Sequence, residues 1–174
     1  GNRFVLSVVD TDEGIAQTHI DAAVAEITRI EQLLTTFADT SQTFRINENA
    51  GISPVKVDTE VFSLIQRANR ISELTDGAFD LSYGSLDKRF WNFDRTMENL
   101  PDPETAKDKV KLINYKNIEL NATDSTVFLK EKGMRIGFGG IGKGYAADCA
   151  KRVLQECGVK SGIVNASGDL ITWG

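Results

Sequence analysis

A glycine-rich stretch decides the fold of this chain: residues 133–148 read GMRIGFGGIGKGYAAD. Six of the fifteen glycines lie between residues 133 and 144. The residues around them predict a strand over 134–138 and a helix over about 143–157 that Gly158 ends. A strand, a glycine turn and a helix N-terminus together point backbone N–H groups at an anion, with several glycines expected at positive φ. The stretch therefore predicts a site for a phosphate-bearing ligand.

Two familiar phosphate-binding motifs match this stretch incompletely. Residues 137–142 fit G-x-G-x-x-G, but a Rossmann unit places an acidic residue about 20 positions further on, and residues 159–162 contain none. The same stretch resembles a Walker A loop up to Lys143, but Gly144 stands where a Ser or Thr must bind Mg²⁺. A purely structural glycine turn also stays open. The pattern favours a phosphate-bearing ligand held by a different fold.

Composition limits the class of protein further. The 174 residues are about one domain, with 41% hydrophobic and 26% charged residues, as in ordinary globular proteins. The net charge of −5 disfavours nucleic acid or an anionic membrane as the main partner. His19 is the only histidine, and its place beside a helical apolar stripe favours a surface or boundary residue. Cys149 and Cys157 fall in one predicted helix, roughly 12 Å apart, too far for a disulfide, and both are predicted to be buried.

The rest of the chain predicts an α+β fold. Helical spacing predicts a helix over residues 14–34 and a second helix that begins after an N-cap at Asp58, runs to Leu74 and is stopped by Gly77. The pattern predicts strands over 4–9, 118–120, 126–130, 162–164 and 170–173. Turn-forming and charged residues predict an ordered loop over 36–47 and a loop or flap over 94–111. We therefore expect antiparallel or mixed strands packed with three main helices. The alternating βα rhythm of a doubly wound sheet is absent from this pattern.

Three blocks of the sequence resemble the ApbE family. Residues 139–148 (GGIGKGYAAD) and 164–169 (VNASGD) resemble its central signature. Residues 36–47 resemble its aromatic, serine and arginine-x-asparagine loop. Residues 75–80 (TDGAFD), running on to 84–86 (GSL) and 91–93 (WNF), resemble its glycine-alanine-apolar-aspartate block and the tryptophan that follows. The blocks come in the family's order and cover nearly the whole chain, so the resemblance is specific.

This resemblance implies an activity. Members of the family are FAD:protein FMN transferases, once described as thiamine-biosynthesis lipoproteins. They bind FAD and Mg²⁺ and transfer FMN to a Thr or Ser hydroxyl of a partner protein, releasing AMP. Two alternatives stay open for this chain: an FAD pyrophosphatase that gives FMN and AMP, and a flavin-binding module without turnover.

The resemblance also implies the site residues, which are Phe37, Ala78, Phe79, Asp80, Gly137 and Lys143 for FAD and Gly140 for the metal. Phe37 would stack on the isoalloxazine ring, as suits an aromatic side chain, with core packing as the alternative. Lys143, at a glycine-rich helix start, would lie by the phosphates, or else be a solvated lysine. Gly140 would offer a carbonyl oxygen, which Mg²⁺ accepts. Asp80 would line the nucleotide or act as a local cap. Many members carry an aspartate where this chain has Gly137, so that polar contact is lacking.

The resemblance implies further sequence beyond the chain. Family members continue through a histidine-containing segment and a late aspartate and threonine that complete the metal site, and their N-terminal methionine would precede Gly1. We therefore expect residues 1–174 to be a single FAD-binding transferase domain lacking its C-terminal portion. The catalytic base is not identified and is expected outside these residues. Family membership further implies a periplasmic or cell-envelope location, with membrane contact only through a lipid anchor.

Overall fold

The structure is a computed structural model that describes residues 3–86 and 102–174. In chain order its helices and strands are β1 (Phe4–Val8), α1 (Glu13–Leu34), α2 (Gln42–Glu48), β2 (Val55–Lys56), α3 (Thr59–Leu74), α4 (Pro103–Lys109), β3 (Ile118–Asn121), β4 (Thr126–Leu129), α5 (Gly142–Glu156), β5 (Gly162–Ala166) and β6 (Asp169–Trp173). The chain divides into two compact units. Unit 1 comprises Gly1–Leu34 and Gly139–Gly174, and unit 2 comprises Thr35–Phe138.

Unit 1 is a three-stranded sheet covered on one face by two helices. The strand order is β1-β5-β6, and both pairings are antiparallel. Alternation along the strands turns one set of side chains toward α1 and α5. The buried core of this unit consists of Ala23, Ala147, Ala150, Leu154, Val159, Val164 and Ala166. Small alanines on the helices allow them to pack closely on the sheet, so the start of α5 rests on a rigid support.

The connection between α5 and β5 in unit 1 is fixed at both of its ends. After α5, Gly158 adopts φ 91°, and the N–H of Val159 donates to the carbonyl of Leu154 at 3.0 Å. This is a Schellman cap, and the predicted glycine stop is confirmed. In β6, the Trp173 ring covers Gly162 so closely that a Cβ there would lie 2.5 Å from it.

Unit 2 contains a second antiparallel sheet, in the order β2-β4-β3. The hairpin β3–β4 pairs Ile118 with Leu129 and Asn121 with Thr126, so the predicted hairpin is confirmed. Asp58 precedes α3 as predicted, although its side chain makes no cap bond to that helix. With both sheets antiparallel and α1, α3 and α5 as the longest helices, the predicted α+β class with three main helices is confirmed.

The predicted loop over residues 36–47 is wrong in its second half, which forms α2. Ser41 is its N-cap, and the Ser41 hydroxyl oxygen accepts a hydrogen bond from the N–H of Phe44 at 3.0 Å. A serine cap satisfies an N–H that the first helical turn leaves without a partner. This bond allows a short, hydroxyl-rich segment to be helical.

Part of the predicted loop or flap over residues 94–111 is also helical. Asp102 caps α4, accepting from the N–H groups of Glu104 and Thr105, each at 3.1 Å. Pro103 occupies the first turn, where its missing N–H is not needed. The hydrogen bonds from Thr105 and Glu104 lower the pKa of the Asp102 carboxyl. Residues 94–101 lie outside the described residues.

Two further predictions need correction. Residues 134–138 pair with no strand in the described chain; their backbone is held by side chains, as described below. Cys149 is buried as predicted, but Cys157 is exposed, because it lies at the solvent-facing end of α5. Within the described residues, no helix combines the length and apolar character needed to cross a membrane.

Candidate functional site

The glycine-rich turn and the start of α5 form an open surface in unit 1. Gly139 and Gly140 are exposed, and α5 begins after Ile141 without a side-chain cap. A Cβ built on Gly139 or Gly144 would meet no heavy atom of the described residues within 4 Å. None of the glycines from 137 to 144 has a positive φ, contrary to expectation; of the six, only Gly133 does. Among residues 3–86 and 102–174, neither backbone conformation nor packing therefore requires glycine at 139 and 144.

Lys143 places a positive charge in the first turn of α5. This position is electrostatically unfavourable for a lysine, because the N-terminus of a helix already carries partial positive charge. The Asp169 carboxylate lies 3.3 Å from the Lys143 ammonium and offsets part of this repulsion. The Lys143 side chain is 31% exposed, so the ammonium is held in place yet reachable. A lysine with these surroundings is suited to an anionic ligand.

The turn that carries Asp169 is itself fixed. Ser167 and Gly168 take left-handed conformations, with φ of 53° and 108°, as a two-residue hairpin requires. The Ser167 hydroxyl donates to the carbonyl of Arg3 at 2.8 Å, and the Gly168 N–H donates to the Asn165 side chain at 3.0 Å. The position of Asp169 is therefore set by the hairpin and not by its pairing with lysine.

In unit 2, the Asp80 carboxylate is occupied by local hydrogen bonds. One oxygen accepts from the N–H and the hydroxyl of Ser82 at 2.7 and 2.6 Å. The other accepts from the N–H of Tyr115 at 2.8 Å. Asp80 is thus the cap of the short 3₁₀ turn Leu81–Ser85, which was the alternative interpretation of this residue. Its role in lining a nucleotide stays a prediction.

The other predicted contacts of unit 2 are accessible to different degrees. Phe37 is 83% exposed, so it is not a core residue. Ala78 is exposed and Phe79 half-buried. The N–H of Phe79 donates to the Thr75 hydroxyl at 3.1 Å, which ties this segment to the end of α3. An exposed phenylalanine is compatible with stacking on a flat ring, and that role also stays a prediction.

The segment before the glycine turn is held by residues to which the sequence assigned no role. Asn47, at the end of α2, makes two hydrogen bonds to the backbone of Ile136. Ser85 makes two to the backbone of Arg135. The N–H of Gly137 donates to the carbonyl of Leu81 at 3.0 Å. Both polar residues occur in the blocks quoted above, but spacing alone could not reveal a contact across 89 residues of sequence.

The structure thus groups the predicted site residues within each unit. In unit 1, Gly140 and Lys143 belong to one turn and the helix that follows it. In unit 2, Ala78, Phe79 and Asp80 are consecutive, and the residue after them, Leu81, binds the backbone of Gly137. Phe37 lies elsewhere in unit 2, in the loop before α2.

In this α+β fold, the glycine-rich start of α5 has no side-chain cap and carries a lysine, and such a helix start is suited to a phosphate-bearing ligand. The ApbE family model matches residues 1–174, which is the whole chain. The chain therefore belongs to the ApbE family, and the predicted resemblance is confirmed.

Individual relatives agree with this assignment. The chain is 33% identical to an FAD:protein FMN transferase of Klebsiella pneumoniae over 174 residues, which are 100% of this chain and 54% of the relative. It is 29% identical to one of Treponema pallidum, over 89% of this chain and 45% of the relative. The chain thus spans about half the length of the curated relatives it matches.

Solved structures show the same fold. The ApbE protein of Thermotoga maritima superposes with a TM-score of 0.85 at 32% identity, covering 100% of this chain and 56% of that one. The flavin transferase ApbE of Vibrio cholerae superposes with a TM-score of 0.83 at 21% identity, again over 100% of this chain and 56% of that one.

Proposed function

We propose that this protein takes FAD as substrate and transfers its FMN half to a Thr or Ser hydroxyl of a partner protein, releasing AMP. Family membership and the activity for which the relatives are named support this proposal. The observation that carries it is the open start of α5. There, neither packing among the described residues nor a positive φ requires glycine at 139 or 144, so these two glycines leave open space. Lys143 adds a charge that an anion would stabilise.

In the proposed reaction, the acceptor hydroxyl oxygen forms a bond to the FMN-side phosphorus of FAD. The bond between that phosphorus and the bridging oxygen breaks, AMP leaves with the bridging oxygen, and the hydroxyl proton is released. Negative charge grows on the phosphate oxygens during this exchange, so nearby donors stabilise the transition state. The N–H groups at the start of α5 and the Lys143 ammonium would serve that purpose in this chain.

A magnesium ion fits one element of this site. Gly140 is exposed in the turn before α5, and its carbonyl oxygen is a hard donor of the kind Mg²⁺ binds, together with carboxylates and water. When bound, the ion would neutralise charge on the phosphates. Gly140 is the residue we assign to it.

The remaining contacts of the proposal concern the flavin and the nucleotide. Phe37 would stack on the isoalloxazine ring, which its exposure supports. Residues 78–80 and the backbone of Gly137 would line the nucleotide. A location outside the cytoplasm, with a lipid anchor, belongs to the same proposal on the ground of family membership, and fractionation of cells producing the natural protein would test it.

Intact-mass analysis separates the proposed activity from its alternatives. The full-length protein is incubated with FAD, Mg²⁺ and an acceptor protein containing candidate threonines. An acceptor heavier by the mass of a covalently attached FMN group, with AMP in solution, supports transfer. Free FMN and AMP with an unmodified acceptor would show hydrolysis instead. FAD that stays intact and bound would show a flavin-binding module and contradict the proposal.

A further inference from the structure

The backbone of residues 135–137 is fixed in an unusual way. It runs directly into the glycine-rich turn, yet no neighbouring strand in the described chain pairs with it. Each of its three residues is bound instead by a different group of unit 2. We call the Asn47 and Ser85 side chains, with their four hydrogen bonds to this backbone, the polar clamp.

Asn47 forms the inner half of the polar clamp. Its Nδ2 donates to the carbonyl of Ile136 at 3.1 Å, and its Oδ1 accepts from the N–H of the same residue at 2.8 Å. Asn47 is 5% exposed and Ile136 is fully buried. Burying an amide is unfavourable unless its hydrogen bonds are made, and this amide uses its donor and its acceptor on a single residue. The pair therefore fixes both the position and the orientation of Ile136.

Ser85 forms the outer half. Its hydroxyl accepts from the N–H of Arg135 at 2.8 Å and donates to the carbonyl of the same residue at 3.0 Å. The backbone next to Ser85 also lies very close to residues 135–137, since a Cβ on Gly84 would lie 2.5 Å from the carbonyl carbon of Ile136. Gly84 thus permits the contact that Ser85 secures.

The clamp ends where the proposed nucleotide contact begins. Ile136 is the residue before Gly137, and the Gly137 N–H is directed to the carbonyl of Leu81. Leu81 in turn follows residues 78–80, which belong to the proposed nucleotide lining. The clamp therefore sets the relative position of two backbone segments that would face the same ligand.

We infer that Asn47 and Ser85 are positioning residues for FAD: they hold residues 135–137 so that Gly137 and residues 78–80 present a preformed backbone surface to the nucleotide. Neither side chain needs to touch the ligand. This inference rests on the proposed function. Without the clamp, the segment would have to be ordered when FAD binds, and that ordering would oppose binding.

The test compares two Asn→Leu variants of the full-length protein. Asn47→Leu keeps the number and branching of the side-chain heavy atoms but removes both bonds to Ile136. Asn69→Leu is the control, because Asn69 is a half-buried asparagine of unit 2 whose Nδ2 also donates to a backbone carbonyl, that of Ile118 at 3.5 Å. FAD affinity, KM and kcat, melting temperature and hydrogen exchange of residues 135–137 are measured for each variant and for the wild type.

We expect Asn47→Leu to raise the Kd and the KM for FAD about tenfold, because ordering residues 135–137 would then oppose FAD binding. Exchange of residues 135–137 in the free protein should become faster, while kcat changes by less than about threefold, since no reacting atom is contacted. Asn69→Leu should leave Kd and KM unchanged, and it should lower the melting temperature less than Asn47→Leu does, because the one hydrogen bond it removes is long.

Unchanged FAD affinity in Asn47→Leu would overturn the inference, as would an equal loss of affinity in Asn69→Leu. If Asn47→Leu does not fold, Ser85→Ala replaces it, with the same expected rise in Kd and the same refuting result. A wild-type protein that binds no FAD would instead refute the proposed function and the nucleotide role of the clamp together, so the two failures are distinguishable.

Discussion

Two groups of glycines in this chain have opposite surroundings. At Gly84 in unit 2, a Cβ would lie 2.5 Å from the carbonyl carbon of Ile136, so the fold itself requires glycine. At Gly139 and Gly144 in unit 1, a Cβ would meet no atom of the described residues within 4 Å. Packing inside the chain explains the glycine at 84. It does not explain the glycines at 139 and 144 within the described residues, and the proposed function assigns that open surface to a ligand.

The largest effect expected from this comparison is on stability. Gly84→Ala should lower the free energy of unfolding by about 2 kcal/mol or more, because the methyl group would overlap backbone atoms that cannot rotate away. Chemical denaturation measures the change. Gly137→Ala is the control from the other side of the same contact: its Cβ would lie 3.7 Å from the Gly84 Cα, an ordinary distance. Equal free energies of unfolding for Gly84→Ala and the wild type would contradict the close approach of Gly84 to the Ile136 backbone.

The second effect concerns ligand binding at the open surface. Lys143→Ala should weaken FAD binding by about ten- to a hundredfold, the range for a hydrogen bond to a charged group. Its unfolding free energy should change by less than about 1 kcal/mol, since the ion pair with Asp169 is partly exposed. Titration of FAD against each protein gives the affinities. Lys160→Ala is the control, because Lys160 is an exposed lysine beyond α5. If both variants change the FAD affinity by the same small amount, Lys143 is not part of the site.

The smallest effect has opposite signs for stability and binding. Gly144→Ala should raise the free energy of unfolding by up to about 1 kcal/mol, because alanine is the better helix former and the space is free. The same methyl group should weaken FAD binding by occupying the surface beside the start of α5. Thermal unfolding and FAD titration of one variant test both statements. A stabilised variant with full FAD affinity would mean that this surface is not the ligand surface.

The sequence predicted much of the fold because local signals agreed with the final contacts. The β3–β4 hairpin follows from the turn formers at 121–124, and the end of α5 follows from Gly158. The start of α4 had a readable signal in Asp102 and Pro103, but the charge density around it favoured a loop. The cap at Ser41 was equally readable, yet the hydroxyl-rich composition of its neighbours obscured it.

The candidate site could be predicted only in part, because its decisive contacts join distant residues. Buried and partly buried residues alternate along 134–138, so the pattern resembles a strand, but the partners are the side chains of Asn47 and Ser85. The sequence assigned Asp80 to the nucleotide, and the structure adds hydrogen bonds from Ser82 and Tyr115 to its two oxygens. The bond from Tyr115 could not be predicted, because it joins residues 35 positions apart. The nucleotide role of Asp80 stays a prediction.

The packing of Trp173 gives the chain a built-in optical reporter. The indole ring fits over Gly162, and its Nε1–H donates to the carbonyl of Val159 at 3.0 Å. The sequence contains one other tryptophan, Trp91. Replacing Trp91 with phenylalanine would leave Trp173 as the single indole of residues 1–174. Its emission would respond to the loosening of unit 1, so in this stretch of chain the melting of that unit could be followed by fluorescence separately from the melting of unit 2.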